Sequence, residues 1–325
     1  MLREILERAV SEGASDVHMA PGAPPFIRVD GILKPLEGKL SPEDVERAVQ
    51  EILPQEDIDR LSKDKEIETS FSIHGLSRFR LSVCFQRGTL SISIRVLPFK
   101  IPKPEELGIP DIAKSLVEKE RGLIVVTGPA GSGKSTTIAS LLEYMNMNLR
   151  RRIVTIEDPI EYLFENKKCH IIQREIGRDA LSFPRALRHA LRQDPDVIFI
   201  GEMREPETMG IALTAAETGH LVLSTLHTSG AVEALARIID AFPPHERDGI
   251  RLQLSEVIEG VLFQRLLPKR EGGRVAVFET LVGSKPVRNL VREGKLHQIR
   301  SFMEMGRDGM QTFEMALQKL KDLVA

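Results

Sequence analysis

The sequence predicts an α/β protein whose larger part is built on a doubly wound, mostly parallel β-sheet. From residue 123 onwards, short and almost continuously apolar runs alternate with helical patterns, which is typical of parallel strands covered by helices on both faces. Residues 1–98 instead combine amphipathic helices with alternating, hairpin-like strands. At 325 residues the chain is long enough for two domains, each with its own core.

The composition excludes several classes of protein. With 42% hydrophobic and 28% charged residues, the chain is typical of a globular protein rather than a disordered or fibrous one. The 45 Lys and Arg nearly balance the 47 Asp and Glu, so no strong overall field attracts nucleic acid or an anionic membrane. No Trp and two Tyr leave few rings for stacking bases. We therefore expect no nucleic-acid partner.

The cysteines and the apolar runs predict a cytoplasmic protein without direct membrane insertion. Cys84 and Cys169 form no CxxC or Cys/His pattern, so neither a disulfide framework nor a zinc site is predicted. The N-terminus carries acidic residues where a signal peptide needs a basic start. No apolar run approaches the roughly 18 residues that a membrane span requires.

In the predicted N-terminal domain, helical patterns cover Leu2–Glu12 and Pro42–Leu53. Alternating apolar residues surround Asp30-Gly31 and, later, Arg87-Gly88. Such pairs between alternating runs predict two β-hairpins.

The predicted domain boundaries follow the prolines. Residues 99–110 form a Pro-rich linker, because so many prolines suit neither a helix nor a central strand. The N-terminal domain then comprises residues 1–98. Residues 111–325 form the second domain, which ends in a helical region.

The most specific motif follows the first predicted strand of the second domain, Leu123–Thr127. Gly128 to Ser135 fits G-x-x-x-x-G-K-[ST] and precedes a predicted helix. Its N–H groups and the helix N-terminus would surround phosphates, with Lys134 on the β- and γ-phosphates and the Ser135 hydroxyl on Mg²⁺. We expect ATP and Mg²⁺ as ligands. The predicted nucleotide-binding residues are Gly128, Pro129, Ala130, Gly131, Ser132, Gly133, Lys134, Ser135 and Thr136.

Two further apolar strands end in carboxylates. Ile153–Ile156 runs into Glu157, Asp158 and Glu161, and Val197–Ile200 runs into Gly201-Glu202. Ligands of open α/β sheets bind at such strand ends, where a carboxylate can activate water or hold a metal. Glu157 is predicted to hold Mg²⁺ together with Ser135. In the common Walker B pattern an Asp stands where this chain has Gly201. Alone, each cluster is equally consistent with a solvated strand end, but the phosphate loop favours catalysis.

His227 follows a further apolar strand of the same predicted sheet, Leu221–Ser224. An imidazole at this place could sense the γ-phosphate. His220, before that strand, is as consistent with a structural role as with a functional one. The other histidines are expected to be structural: His18, His74, His170, His189, His245 and His297.

Taken in order, these motifs resemble the PilT-type retraction ATPases of type IV pili, within the type II and type IV secretion ATPase superfamily. The resemblance covers nearly the whole chain. Several independent motifs in order are far more specific than any one of them. They are Gly13–His18, Arg28–Gly31, the phosphate loop, Thr155–Glu161 (the Asp box), Asp194–Arg204 (with the atypical Walker B) and Gly219–Thr228 (the His box).

The resemblance implies a PAS-like N-terminal domain, a RecA-like P-loop ATPase domain and a homohexameric ring with ATP bound between domains. It implies that Glu202 and Glu161 are catalytic carboxylates and that His227 contacts the γ-phosphate. The N-domain arginines that approach the nucleotide in this family correspond to Arg80, Arg87 and Arg95.

A C-terminal element favours retraction over the related activities. Pro286–Glu293 resembles the Ala-Ile-Arg-Asn-Leu-Ile-Arg-Glu element of retraction ATPases, although Pro286 replaces Ala and two Ile are Val. Extension and type II secretion ATPases usually carry additional N-terminal sequence and a four-cysteine metal module. Neither is expected here.

The leading hypothesis is therefore a hexameric, ATP-hydrolysing motor that powers type IV pilus retraction and twitching motility. It would act from the cytoplasm on an inner-membrane pilus platform protein. The alternatives are a pilus-extension or type II secretion ATPase, a nucleic-acid translocase, and a nucleotide-binding switch without turnover. A translocase predicts DNA-stimulated hydrolysis with a steep salt dependence, whereas a switch predicts no steady-state phosphate release.

Overall fold

The computed structural model describes residues 1–97 and 100–324. The chain divides into two compact units: Met1–Lys100 with Pro159–Leu163, and Ile101–Asp158 with Phe164–Ala325. Pro98, the last residue of the predicted N-terminal domain, and Phe99, the first residue of the predicted linker, lie outside the described residues. Residues 101–110 form turns without helix or strand. The sequence assigned Pro159–Leu163 to the second domain, whereas the structure groups this segment with the first unit. The domain boundaries drawn from the sequence stay a prediction.

The first unit is an antiparallel sheet with helices. Its strand order is β3-β2-β1-β6-β5-β4, and every pairing is antiparallel. Its elements are α1 (Leu2–Ser11), β1 (Asp16–Met19), β2 (Phe26–Val29), β3 (Ile32–Pro35), α2 (Pro42–Ile52), α3 (Gln55–Asp64), β4 (Glu66–Ile73), β5 (Ser77–Gln86) and β6 (Thr89–Leu97).

Local sequence explains these elements. The α2 helix begins at a capping box, in which the Ser41 hydroxyl accepts from the Asp44 N–H and the Asp44 carboxylate accepts from the Ser41 N–H, so two otherwise unpaired donors are satisfied. Both predicted hairpins are confirmed. At the β5–β6 turn Arg87 and Gly88 have φ of 48° and 78°, the left-handed pair that a two-residue hairpin turn requires.

The second unit contains a sheet of order β13-β12-β7-β11-β10-β8-β9. From β12 to β9 neighbouring strands are parallel, and β13 is antiparallel to β12. Its elements are α4 (Asp111–Val117), β7 (Gly122–Thr127), α5 (Lys134–Asn148), β8 (Arg152–Glu157), β9 (His170–Glu175), α6 (Phe183–Ala190), β10 (Val197–Ile200), α7 (Pro206–Glu217), β11 (Leu221–Leu226), α8 (Ala231–Asp240), α9 (Arg247–Val257), β12 (Ile258–Pro268), β13 (Arg274–Val282), α10 (Lys285–Arg292), α11 (Ile299–Glu304) and α12 (Phe313–Lys319), with short 3₁₀ turns at Leu296–Gln298 and Arg307–Gly309.

Helices cover both faces of this sheet. Along β7, Leu123 and Val125 belong to a core shared with α6 to α11, whereas Ile124 and Val126 belong to a core shared with α4 and α5. This alternation is what a strand buried on both sides must show. The predicted fold class, α/β with a doubly wound and mostly parallel sheet, is confirmed.

The strand order fixes where the site lies. The β7 strand leads into the phosphate loop and is followed in the sheet by β11, β10 and β8, so the carboxyl ends of these four strands form one edge. The sequence predicted these four strands but neither β9 nor the β12–β13 hairpin. Within residues 1–97 and 100–324, no helix has both the length and the apolar character needed to cross a bilayer.

Candidate nucleotide-binding site

The phosphate loop joins β7 to α5 through glycines that no other residue could replace without strain. Gly128, Gly131 and Gly133 have φ of 149°, 72° and 87°, values that disfavour any residue with a Cβ. A Cβ on Gly128 would lie 2.3 Å from the Gln264 carbonyl oxygen, a distance that real Cβ atoms do not reach. The loop therefore folds tightly against β12, and Gly133 opens helix α5.

Lys134 is held at the centre of this loop. Its side chain is only 8% exposed, and its ammonium donates to the carbonyl oxygens of Gly128 and Pro129, both at 2.9 Å. It also lies 3.5 Å from Nδ1 of His227. These contacts compensate for the burial of the charge and hold it against the backbone carbonyls of the loop.

The loop has the chemistry of a phosphate cradle. The hydroxyl of Ser132 is buried and makes no hydrogen bond to any group in the described ranges, although a buried polar group ordinarily finds a partner. The N-terminus of the 15-residue helix α5 adds unpaired N–H groups and the positive end of its dipole. A polyanionic phosphate satisfies both features, so the residues present fit a nucleotide.

A second group of side chains follows β10 and β11. Glu202 forms an ion pair with Arg204, whose Nη2 lies 2.7 Å from Oε1 of the carboxylate. The other carboxylate oxygen, Oε2, lies 3.8 Å from Nε2 of His227. Because His227 also approaches Lys134, these four side chains form a continuous chain from the carboxylate to the phosphate loop. We call Lys134, His227, Glu202 and Arg204 the polar chain. The structure thus brings together three residues that the sequence predicted separately.

Burial and the neighbouring charges favour the neutral form of His227. Its partial burial, and then the positive charge of Lys134, lower the pKa of the imidazole, while Glu202 acts in the opposite direction. A neutral imidazole can accept a hydrogen bond as well as donate one. His227 therefore does not add a second fixed positive charge beside Lys134.

The structure explains the unusual residue between β10 and Glu202. A Cβ on Gly201 would lie 3.3 Å from the Ile156 carbonyl oxygen, slightly tighter than ordinary contact, and 3.4 Å from the Glu157 Cα. The Gly201 N–H donates to the same Ile156 oxygen at 2.8 Å, which draws the two strand ends together. An Asp here would be crowded, so the carboxylate comes one residue later.

Glu157 is buried at the end of β8. Its Oε1 accepts hydrogen bonds from the Thr155 hydroxyl at 2.6 Å and from the Gln173 amide at 3.3 Å. These partners fix the orientation of the carboxylate. The part of the chain that the structure describes contains no group of three or more His, Cys, Asp or Glu arranged to hold a metal ion.

The remaining predicted residues belong to the first unit. Glu161 lies in the Pro159–Leu163 segment, where the neighbouring Ile160 carbonyl accepts a hydrogen bond from Arg78 at 3.0 Å. Arg80 pairs with Glu68 at 3.0 Å, and Arg95 with Asp16 at 3.1 Å. Arg87 is exposed in the β5–β6 turn. Their roles at the nucleotide remain predictions.

Sequence reasoning missed Arg204, Arg78 and Gln264. Arg204 stood in a quoted motif without a role, although its separation of two residues from Glu202 favours a local ion pair. Arg78 lies two residues before Arg80 on β5, and nothing in that local pattern indicates its contact with Ile160. Gln264 is 2% exposed and interrupts an otherwise apolar face of β12, a signal that could have been found had the strand been recognised.

The fold and the site define a P-loop ATPase. More specifically, the chain belongs to the family described as type II/IV secretion system protein, whose model matches residues 1–323. It is 44% identical over 325 residues to the type IV pilus retractation ATPase PilT of Pseudomonas aeruginosa, covering 98% of this chain and 93% of that protein. This similarity confirms the family resemblance read from the motifs.

Two further similarities agree with it. A protein of Neisseria gonorrhoeae named twitching motility protein is 44% identical over 300 residues, covering 91% of this chain and 80% of that protein. The crystal structure of the pilus retraction motor PilT with bound ADP superposes with a TM-score of 0.94 at 46% identity, covering all of this chain and 94% of that one.

Proposed function

We propose that this protein is an ATP-hydrolysing motor that powers retraction of type IV pili. The observation that carries the proposal is the full-length similarity to retraction ATPases combined with a complete phosphate loop and polar chain. The similarity extends over both units, so it includes the N-terminal part as well as the ATPase fold.

The polar chain supplies the chemistry of hydrolysis. Lys134 and the loop N–H groups neutralise the phosphates, which is the main requirement of phosphoryl transfer. Glu202 is the general base that orients and deprotonates the attacking water, and its side chain, 16% exposed, can still meet solvent. The neutral His227 lies between Lys134 and Glu202, and from there it would contact the γ-phosphate.

Ser135 and Glu157 would hold Mg²⁺. Both offer oxygen ligands, and Mg²⁺ commonly takes one or two protein oxygens together with phosphate oxygens and waters. Glu157 is oriented by Thr155 and Gln173, as a ligand of a metal must be. When bound, the ion would neutralise charge on the β- and γ-phosphates.

The first unit would complete the reaction. Glu161 is proposed as a second catalytic carboxylate, and Arg80, Arg87 and Arg95 as the positive charges that stabilise the leaving phosphate. Hydrolysis would then be coupled to movement about residues 99–110. The assembly would be a homohexamer that acts on an inner-membrane pilus platform protein from the cytoplasm.

The strongest rival function is pilus extension or type II secretion, because those ATPases share the fold. The match to 93% of the length of a retraction ATPase favours retraction. A nucleic-acid translocase is less well supported, because the near balance of 45 basic and 47 acidic residues offers no overall attraction to a polyanion.

The test is a Glu202→Gln replacement, made in the purified protein and in the cell. The amide keeps the shape but cannot accept the proton, so nucleotide binding should persist while phosphate release falls about 10²-fold. Cells should keep their pili, and single-fibre microscopy should show no retraction.

The exposed Glu205→Gln variant is the matched control and should behave as wild type. Cells without pili would instead identify an extension ATPase, and unchanged phosphate release would contradict the role of Glu202.

A further inference from the structure

Gln264 is a buried polar side chain in an apolar row. On β12 it follows Leu262 on the face that packs against α4 and α5, and it is 2% exposed. Burying an amide is unfavourable unless its polar atoms are paired. Its presence here therefore calls for a specific partner.

That partner belongs to the helix that follows the phosphate loop. The Thr137 hydroxyl, on the first turn of α5, donates to Oε1 of Gln264 at 2.6 Å, and both groups are buried. In the sheet register Phe263 of β12 pairs with Thr127 of β7. Gln264 therefore stands beside the point at which β7 ends and the loop begins.

The same residue limits the space of two loop glycines. A Cβ on Gly128 would lie 2.3 Å from the Gln264 backbone oxygen, and a Cβ on Gly133 would lie 3.0 Å from its Nε2. Gln264 thus touches the loop at its start, at its last glycine and, through Thr137, at the helix beyond. These are the three places whose positions determine where the loop N–H groups point.

We propose that Gln264 is a positioning residue for nucleotide binding: through Thr137 it holds α5 against the edge of β12, and so keeps the phosphate loop open for phosphates. It contacts the loop and the helix rather than the reacting atoms. Without the hydrogen bond, α5 is free to shift relative to Gly128 and Gly133, and the loop loses part of its preorganisation. We therefore expect the affinity for nucleotide to fall more than kcat.

The experiment uses the full chain and compares four single variants and the double variant Gln264→Leu/Thr137→Val. Gln264→Leu removes the acceptor, Thr137→Val removes the donor without changing shape, and Thr137→Ser keeps the hydroxyl. The matched control is Thr280→Val, because Thr280 is a buried threonine of the adjacent strand β13 whose hydroxyl makes no hydrogen bond within the described ranges. ADP affinity is measured by calorimetry, ATP turnover by phosphate release, and folding by the unfolding midpoint without nucleotide.

We expect Gln264→Leu and Thr137→Val each to weaken ADP binding and to raise KM for ATP by about tenfold, the scale of losing a buried hydrogen bond. The kcat at saturating ATP should change by less than about threefold. Thr137→Ser should restore wild-type affinity. The double variant should lose little more than either single one, because both remove the same interaction.

The proposal would be overturned if Gln264→Leu and Thr137→Val both kept an ADP affinity within twofold of wild type, or if Thr280→Val lost as much affinity as they do. It would also be overturned if the loss of ADP affinity paralleled a fall in the unfolding midpoint and Thr137→Ser did not restore it. The inference rests on the proposed ATPase function. The experiment measures the affinity for ADP, which does not depend on pilus retraction. An absence of any retraction defect in cells would therefore contradict the motor function without contradicting the role of Gln264.

Discussion

Positive charge is arranged differently in the two units of the molecule. In the second unit, Lys134 is 8% exposed and its ammonium is enclosed by loop carbonyls. In the first unit, the side chains of Arg80 and Arg95 are 40% and 63% exposed and pair with carboxylates on the sheet surface. Lys134 is therefore a buried structural contact of its loop, whereas solvent screens the charges of the two arginines.

The difference has an energetic consequence. A surface ion pair contributes only about 0 to 1 kcal/mol to stability, so Arg80 and Arg95 are not required for the sheet to form. A buried charge, by contrast, is tolerated only where hydrogen bonds compensate for its desolvation. Exposed cations that are dispensable for folding are therefore available to act on another group.

The largest effect is expected for Lys134→Ala. The substitution removes the buried cation of the phosphate cradle, so ATP turnover should fall by about 10³-fold, the upper range for losing one preorganised electrostatic contact. Phosphate release measures the turnover, and calorimetry with ADP measures the nucleotide affinity. The exposed Lys295→Ala variant serves as control, and near-normal hydrolysis by Lys134→Ala would show that the cradle is not the catalytic site.

A smaller effect is expected for the arginines. Arg80→Ala and Arg87→Ala should each lower turnover about 10²-fold, the lower range for losing one preorganised electrostatic contact to the leaving phosphate. ADP affinity should be kept, and the free energy of unfolding should change by less than about 1 kcal/mol. Glu68→Ala, which removes the ion-pair partner of Arg80, is the matched control. If Arg80→Ala and Glu68→Ala gave the same turnover, the arginine would belong to a solvated face only.

The smallest effect concerns pH. The pKa of His227 is lowered from 6.5 by burial and by Lys134, so the unfolded chain takes up this proton at a higher pH than the folded one. The stability contributed by His227 is therefore present above pH 6.5 and is lost as the pH falls through that value towards the folded pKa. Urea unfolding of wild type and His227→Gln from pH 5 to 8 should show wild type losing stability relative to the variant only on the acidic side. Parallel curves would contradict the lowered pKa of His227.

Much of the second unit could be predicted from its sequence. Four strands, the phosphate loop and its helix follow local rules, because continuous apolar runs, glycines with positive φ and a helix start are each encoded within a few residues. The β12–β13 hairpin was missed because Ile258–Pro268 and Arg274–Val282 mix apolar, polar and charged residues. Its strand character depends on pairing with β7, which lies far away in the chain.

The sequence by itself determined the phosphate-loop motif and the acids after the strands, which we propose as the groups that meet phosphate, because both are local features. Only the tertiary structure decided which of them meet one another. Lys134 reaches His227 across 93 positions, and Thr137 reaches Gln264 across 127. It also grouped Glu161 with the first unit. The physical reason is that strand order and register bring distant segments to one edge of the sheet, and local propensity does not encode them.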